Sequence, residues 1–169
     1  MIDAAPQNCW PVETSTPKGS VDLGTGDTAF EAMPDQLALV YGEQGGFHIP
    51  ARSRIHGLEP GDPVDIANPT NPRTRFIAYF ENGDPNTNVK CGVRLGYGTV
   101  AGDYTIANRV MFDPVLGPGA LFNKRFRVTL EVIDSTGGYA MDEKMITALP
   151  PIGWGDDGGI GIVGYAAAD

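Results

Sequence analysis

No apolar run in this sequence reaches the roughly 18 residues that a membrane-spanning helix needs, so no membrane insertion is expected. Basic residues are scarce as well: 12 Lys and Arg stand against 21 Asp and Glu, for a net charge of -9. A nucleic-acid partner calls for a clustered basic face, and an anionic membrane surface for a polybasic segment, so neither partner is expected. No helical stretch of amphipathic period and convincing length occurs. The sequence also has no GxSxG elbow, no GxxxxGK[ST] loop and no HExxH, and its glycines form no GxGxxG after a strand. No catalytic residue is assigned.

What the sequence has in quantity is glycine and proline. The 23 Gly and 14 Pro exceed a fifth of the 169 residues, a composition that suits many short strands separated by turns. The length fits one domain with a sizeable core. Turn signals recur roughly every 8–12 residues from Ser20 onward. Strands are expected at Ser20–Thr25, Ala29–Met33, Gln36–Tyr41, Phe47–Gly57, Val64–Ala67, Arg73–Phe80, Val89–Tyr97, Tyr104–Phe112, Arg125–Ile133 and Tyr139–Leu149. The connections are too short for crossover helices, which predicts antiparallel pairing. The fold class is therefore all-β, an antiparallel sandwich of about nine or ten strands, immunoglobulin-like or jelly-roll in layout. Residues 1–19 read as an irregular proline-rich arm, 20–150 as the sandwich, and 151–169 as a glycine-rich tail or edge strand.

The chain is organised around 37–58, two strands joined across Gly45-Gly46. In its second half His48, Arg52, Arg54 and His56 share one parity and Phe47, Ile49 and Ile55 the other, which predicts a solvent face and a core face. The corner residues Gln44, Gly45, Gly46, Phe47 and His48 are read as structural, with His48 orienting the corner by hydrogen bonding. His48 and His56 lie about 26 Å apart at strand rise, so the strand alone cannot bring them to one metal. For copper, Cys91 has no histidine following closely. Calcium is the metal left open, with Asp134, Asp142, Asp156 and Asp157 in or beside glycine-rich turns as candidate ligands; none fits the D-x-[DN]-x-[DN]-G loop. Trp10, Trp154, Tyr97, Tyr104 and Tyr139 are the candidate sugar-stacking aromatics.

Cys9 and Cys91 are the only cysteines, in no CxxC or Cys/His cluster. An even pair in a small all-β chain reads as one disulfide, which would pin the N-terminal arm; the alternative is two unrelated thiols. Met1 is followed by Ile2-Asp3-Ala4-Ala5-Pro6 with no signal peptide, and this opening looks like the end of an Ala/Pro/Asp tether, which favours export. Two stretches carry a resemblance: the corner Val40-Tyr41-Gly42-Glu43-Gln44-Gly45-Gly46-Phe47-His48, and the hairpin from Val132 to Glu143 containing Asp134-Ser135-Thr136-Gly137-Gly138-Tyr139-Ala140-Met141-Asp142-Glu143. Together they resemble an uncharacterised group of exported bacterial β-sandwich proteins of lipoprotein type. The resemblance implies an envelope or extracellular location and no particular activity.

The functional expectation is a non-catalytic surface module, structural or interacting, with a protein partner or a second copy added at an edge strand. The uncharged run Gly158–Tyr165 is the candidate donor strand. A carbohydrate-binding module is the first alternative, and coplanar aromatics on one sheet face would mark it. A hydrolase is the second, marked by a pocket where a histidine meets a carboxylate and a hydroxyl.

Overall fold

A computed structural model describes residues 10, 16–42, 45–85 and 92–155. Two six-stranded sheets pack face to face, so the expected all-β sandwich is what forms. The strands in chain order are β1 (Thr16–Pro17), β2 (Ser20–Thr25), β3 (Glu31–Ala32), β4 (Gln36–Ala38), β5 (Val40–Tyr41) and β6 (Phe47–His56). They continue as β7 (Arg73–Phe80), β8 (Val93–Arg94), β9 (Gly98–Val100), β10 (Asp103–Met111), β11 (Lys124–Ile133) and β12 (Gly138–Leu149). A single helical turn, Pro118–Leu121, precedes β11. The first sheet runs β1-β12-β11-β7-β8 with β4 also on β12; the second runs β3-β2-β6-β10-β9 with β5 also on β6.

The β11–β12 hairpin forms the centre of the first sheet. Phe126, Val128, Leu130 and Val132 alternate inward on β11 and are fully buried, while β12 pairs along it from Lys124↔Ala148 to Ile133↔Tyr139. From the opposite sheet β6 contributes Phe47, Ile49, Ala51 and Ile55, and β10 contributes Val110, so the core lies between these central strands. One polar element crosses it. The hydroxyl of Tyr97 donates to Ser53 Oγ on β6 (2.9 Å) and bonds Thr74 Oγ1 on β7 (2.8 Å), tying the two sheets together. Burial pushes this phenol up to about 12, so it stays a neutral donor.

Several sequence expectations change. Val64–Ala67 is not a strand: Asp62 Oδ1 accepts the N–H groups of Val64 and Asp65, and Asp65 Oδ1 that of Ala67, which curls the segment into turns and leaves Val64 and Ile66 exposed. In the described part of Val89–Tyr97, Gly92 sits at φ +66° and breaks the period, Val93–Arg94 is the strand, Val93 faces solvent and Tyr97 reaches the core; Val89 to Cys91 lie outside the described residues. Pairing is not wholly antiparallel, because β1 and β4 both add parallel to β12.

The chain between Gln36 and Tyr41 does more than make one strand. Its first half, β4, pairs with β12 in one sheet; its second half, β5, pairs with β6 in the other. Leu39 is the pivot, buried between the sheets with its N–H donated to Leu149 O (2.9 Å). One short segment thereby closes the side of the sandwich and presents its outer edge to solvent.

Candidate functional site

The glycine corner closes through its backbone. Gly45 N–H donates to Gly42 O (2.9 Å) and Gly42 N–H to Gly46 O (3.0 Å), with Gly45 and Gly46 at φ +85° and +86°. Side chains disfavour this left-handed region, so the double glycine is needed for its dihedrals. Gln44 lies outside the described residues. Phe47 anchors the corner, packing against Tyr41, Phe122 and Trp154 with ring centroids 5.1, 5.2 and 5.3 Å away. The sequence suggested that His48 orients the corner by hydrogen bonding; among the described residues its side chain makes no hydrogen bond there. It faces a cleft instead.

That cleft has a volume of about 500 Å³, within the range of small-molecule sites. Val40, Tyr41 and Met111 form its apolar lining, Gly42 and Gly45 its rim, and His48 and Arg109 its polar groups. Strand register explains the grouping. Val40 and Met111 are the cross-strand partners of His48, on β5 and β10 respectively, and Arg109 lies two residues along β10 from Met111. His48 is only 7% exposed. Burial, and then the neighbouring Arg109 charge, lower its pKa, so the imidazole is neutral at pH 7. Arg109 has no local signal in the sequence; only the β6–β10 register brings it to the corner.

The outer face of β6 is also less open than its parity implied. Arg52 is 5% exposed because the segment 26–30 folds over it. Its guanidinium donates to Gly26 O (3.1 Å), Asp27 O (2.8 Å) and Thr105 Oγ1 (3.3 Å). Further along, Arg54 lies over the Phe30 ring at 4.2 Å and pairs with Asp22 (2.8 Å) and Asp103 (3.1 Å). His56 Nε2 lies 3.1 Å from Asp22 Oδ2 on an exposed surface, with Ser20 its cross-strand partner. Among the described residues no hydroxyl is hydrogen-bonded to either histidine, and no carboxylate lines the cleft around His48.

The acidic candidates are separate. Asp134 is buried at the β11–β12 turn with both oxygens occupied: Oδ1 accepts from Thr136 N–H and Oγ1 and from Gly138 N–H, and Oδ2 from Glu59 N–H and Lys18 Nζ. Burial alone would raise this carboxyl, but the backbone and hydroxyl donors outweigh it and hold the pKa at about 2. Asp142, well along β12, accepts from Leu23 N–H and Glu143 N–H. Asp156 and Asp157 lie outside the described residues, as do Cys9 and Cys91. Among the described residues no three His, Cys, Asp or Glu side chains converge for a metal.

The aromatics do not form a flat platform. Tyr41, Phe47, Phe122 and Trp154 meet edge to face or tilted, at interplanar angles of 58–86°. Trp10 is covered by Arg75 at 4.3 Å, Tyr97 is in the core, and Tyr139 donates its hydroxyl to Glu131. Tyr104 is exposed on β10 without a described stacking partner.

No protein-family model, curated protein or solved structure matches this chain. Its site must be read from its own geometry.

Beside the cleft, and sharing Val40 and Tyr41 with it, runs a second depression of about 470 Å³ along the open β4–β5 edge. Leu37, Ala38, Leu39, Pro151, Ile152 and Trp154 complete it, all apolar, and Ile152 is 91% exposed. A solvent-facing groove of this composition next to a strand edge without a partner among the described residues suits an added strand.

The corner also yields a comparison. A Cβ at Gly45 or Gly46 would meet nothing closer than 3.8 Å, so alanine at both costs only the left-handed φ, about 2 kcal/mol in all. At Gly137-Gly138 the first glycine has φ +85° and a Cβ on the second would stand 2.9 Å from Asp134 Oδ2. The Gly137→Ala/Gly138→Ala double variant is therefore expected to melt lower than Gly45→Ala/Gly46→Ala. Thermal melts of the two decide, and an equal or reversed order would mean that the Asp134 turn tolerates crowding.

Proposed function

We propose that this protein is a non-catalytic β-sandwich that serves as a surface structural or interaction module and self-associates by strand addition. The β4–β5 edge, which has no further strand paired to it among the described residues, beside its apolar groove is the observation that carries this reading. The donor is the uncharged run Gly158–Tyr165 of a second copy, which follows the groove residue Trp154 after an acidic pair. It has the glycine spacing and apolar side chains that an edge strand requires. Export to the envelope or extracellular space belongs to the same proposal, supported by the tether-like opening and the resemblance of the corner and hairpin to exported sandwich proteins. The engaged carboxylates, and histidines without a hydroxyl partner among the described residues, favour a binding role over hydrolysis, and the tilted aromatics favour a protein partner over a sugar.

Sedimentation across a concentration series tests the assembly. The full chain is expected to associate as concentration rises. Val40→Lys, which charges the edge, and truncation after Gly155, which keeps Trp154 in its aromatic cluster, are both expected to give folded monomers. A full chain that stays monomeric at millimolar concentration overturns self-association, and so does association that survives both changes.

A further inference from the structure

We infer that the cleft beside the glycine corner binds a small carboxylate ligand with a compact apolar body, gripped by Arg109 and His48. The charge around the cleft is the first reason. The chain is acidic overall, yet no carboxylate among the described residues lines this cleft, and Arg109 has no ion-pair or hydrogen-bond partner for its guanidinium among them. Arg52, one register step further along the same face, donates among the described residues to two carbonyls and a hydroxyl. The carboxylates that neutralise the face, Asp22 and Asp103, are engaged with Arg54 at its other end.

Geometry and chemistry narrow the ligand further. A guanidinium presents a planar fork that matches a carboxylate in bidentate fashion. A neutral imidazole beside it supplies a hydrogen bond without a second cation. Val40, Tyr41 and Met111 provide apolar surface for the remainder of the molecule, and the cleft is large enough to enclose more than the acid group. This assignment does not depend on strand addition: Arg109 lines the cleft and not the apolar groove, so its variants leave the proposed interface intact.

Phenylacetate is the probe, followed by backbone amide NMR and calorimetry on the full chain at neutral pH. It is expected to shift resonances of residues 40–42, 48 and 109–111 and leave the rest of the spectrum in place. Phenylacetamide, with the same body and no charge, and inorganic phosphate, with charge and no body, are each expected to bind at least about tenfold more weakly. Arg109→Gln is expected to reduce phenylacetate affinity by about tenfold or more, and Arg109→Lys to restore part of it. Because Arg109 is exposed and holds no partner among the described residues, both variants should keep the parent spectrum, which separates loss of binding from loss of fold. No shift at millimolar phenylacetate overturns the assignment. So does unchanged affinity in Arg109→Gln, equal binding of phenylacetamide, or phosphate binding as tightly as phenylacetate.

Discussion

Asp134→Ala is expected to destabilise the protein by about 3–5 kcal/mol, because it removes the shared acceptor of a buried turn. The side chain is fully buried, and it satisfies three backbone N–H groups, of Thr136, Gly138 and Glu59, as well as the Thr136 hydroxyl and Lys18. Glu59 belongs to the loop after β6, so one carboxylate clamps that loop to the β11–β12 hairpin. Asp134→Asn should cost less. It keeps an oxygen for Thr136 and Gly138 but turns an amide donor toward Glu59 N–H and Lys18. The same carboxylate sets an acid limit. Its pKa is held at about 2, below the ordinary aspartate value of 3.8, so its contribution is complete above pH 4 and is lost as pH falls from about 4 to 2. The shift corresponds to roughly 2 kcal/mol. Chemical denaturation at pH 7 and pH 2.5 checks both parts: the parent should lose stability over this interval, and Asp134→Ala should lose measurably less. An alanine variant with parent-like stability at pH 7, or with the same acid sensitivity, would remove Asp134 from this role.

How much of this was readable in advance depends on the range of the interaction responsible. The β11–β12 hairpin was legible because Phe126 to Val132 alternate without a break and Asp134-Ser135-Thr136-Gly137-Gly138 is rich in turn residues. The corner was legible because two consecutive glycines mark left-handed backbone, and both have positive φ. Asp134 stood out for its oxygens in a glycine-rich turn. The sequence suggested calcium because it could not show that backbone donors from Glu59, some 75 residues away, and from the turn itself occupy them. Local chemistry misled at Val64–Ala67, where an apolar pattern of two residues lost to the turn-forming carboxylates of Asp62 and Asp65. Parity failed for His48 and Arg52 because it describes one strand and not the loop or neighbouring strand that covers it. Arg109 and the parallel edges β1 and β4 were invisible for the same reason: each is defined by a partner far along the chain.

Reduction of the protein is expected to lower its stability by about 4 kcal/mol, through the loss of a Cys9–Cys91 disulfide that would close a loop of about 80 residues. Both cysteines lie outside the described residues, and the support comes from the residues that follow them. Trp10 is buried, and its ring stacks under Arg75 at 4.3 Å. Gly92, at φ +66°, approaches that ring so closely that a Cβ on it would stand 2.5 Å from Trp10 Cζ3. The close approach is therefore between Trp10 and Gly92, the residues that follow Cys9 and Cys91 in the chain. The N-terminal arm has a second reason to need it, since β1 contributes only two residues to the sheet edge. Intact mass after alkylation of the native, unreduced protein should show no added groups, and reduction before alkylation should show two. For a chain of this length the melting temperature should fall on the order of 10 °C on reduction. A Cys9→Ser/Cys91→Ser variant should reproduce that fall and lose sensitivity to reductant. Two alkylated thiols in the native protein would leave the Trp10–Gly92 contact as packing alone, and the arm would then be held by Trp10 and β1 without a covalent tie.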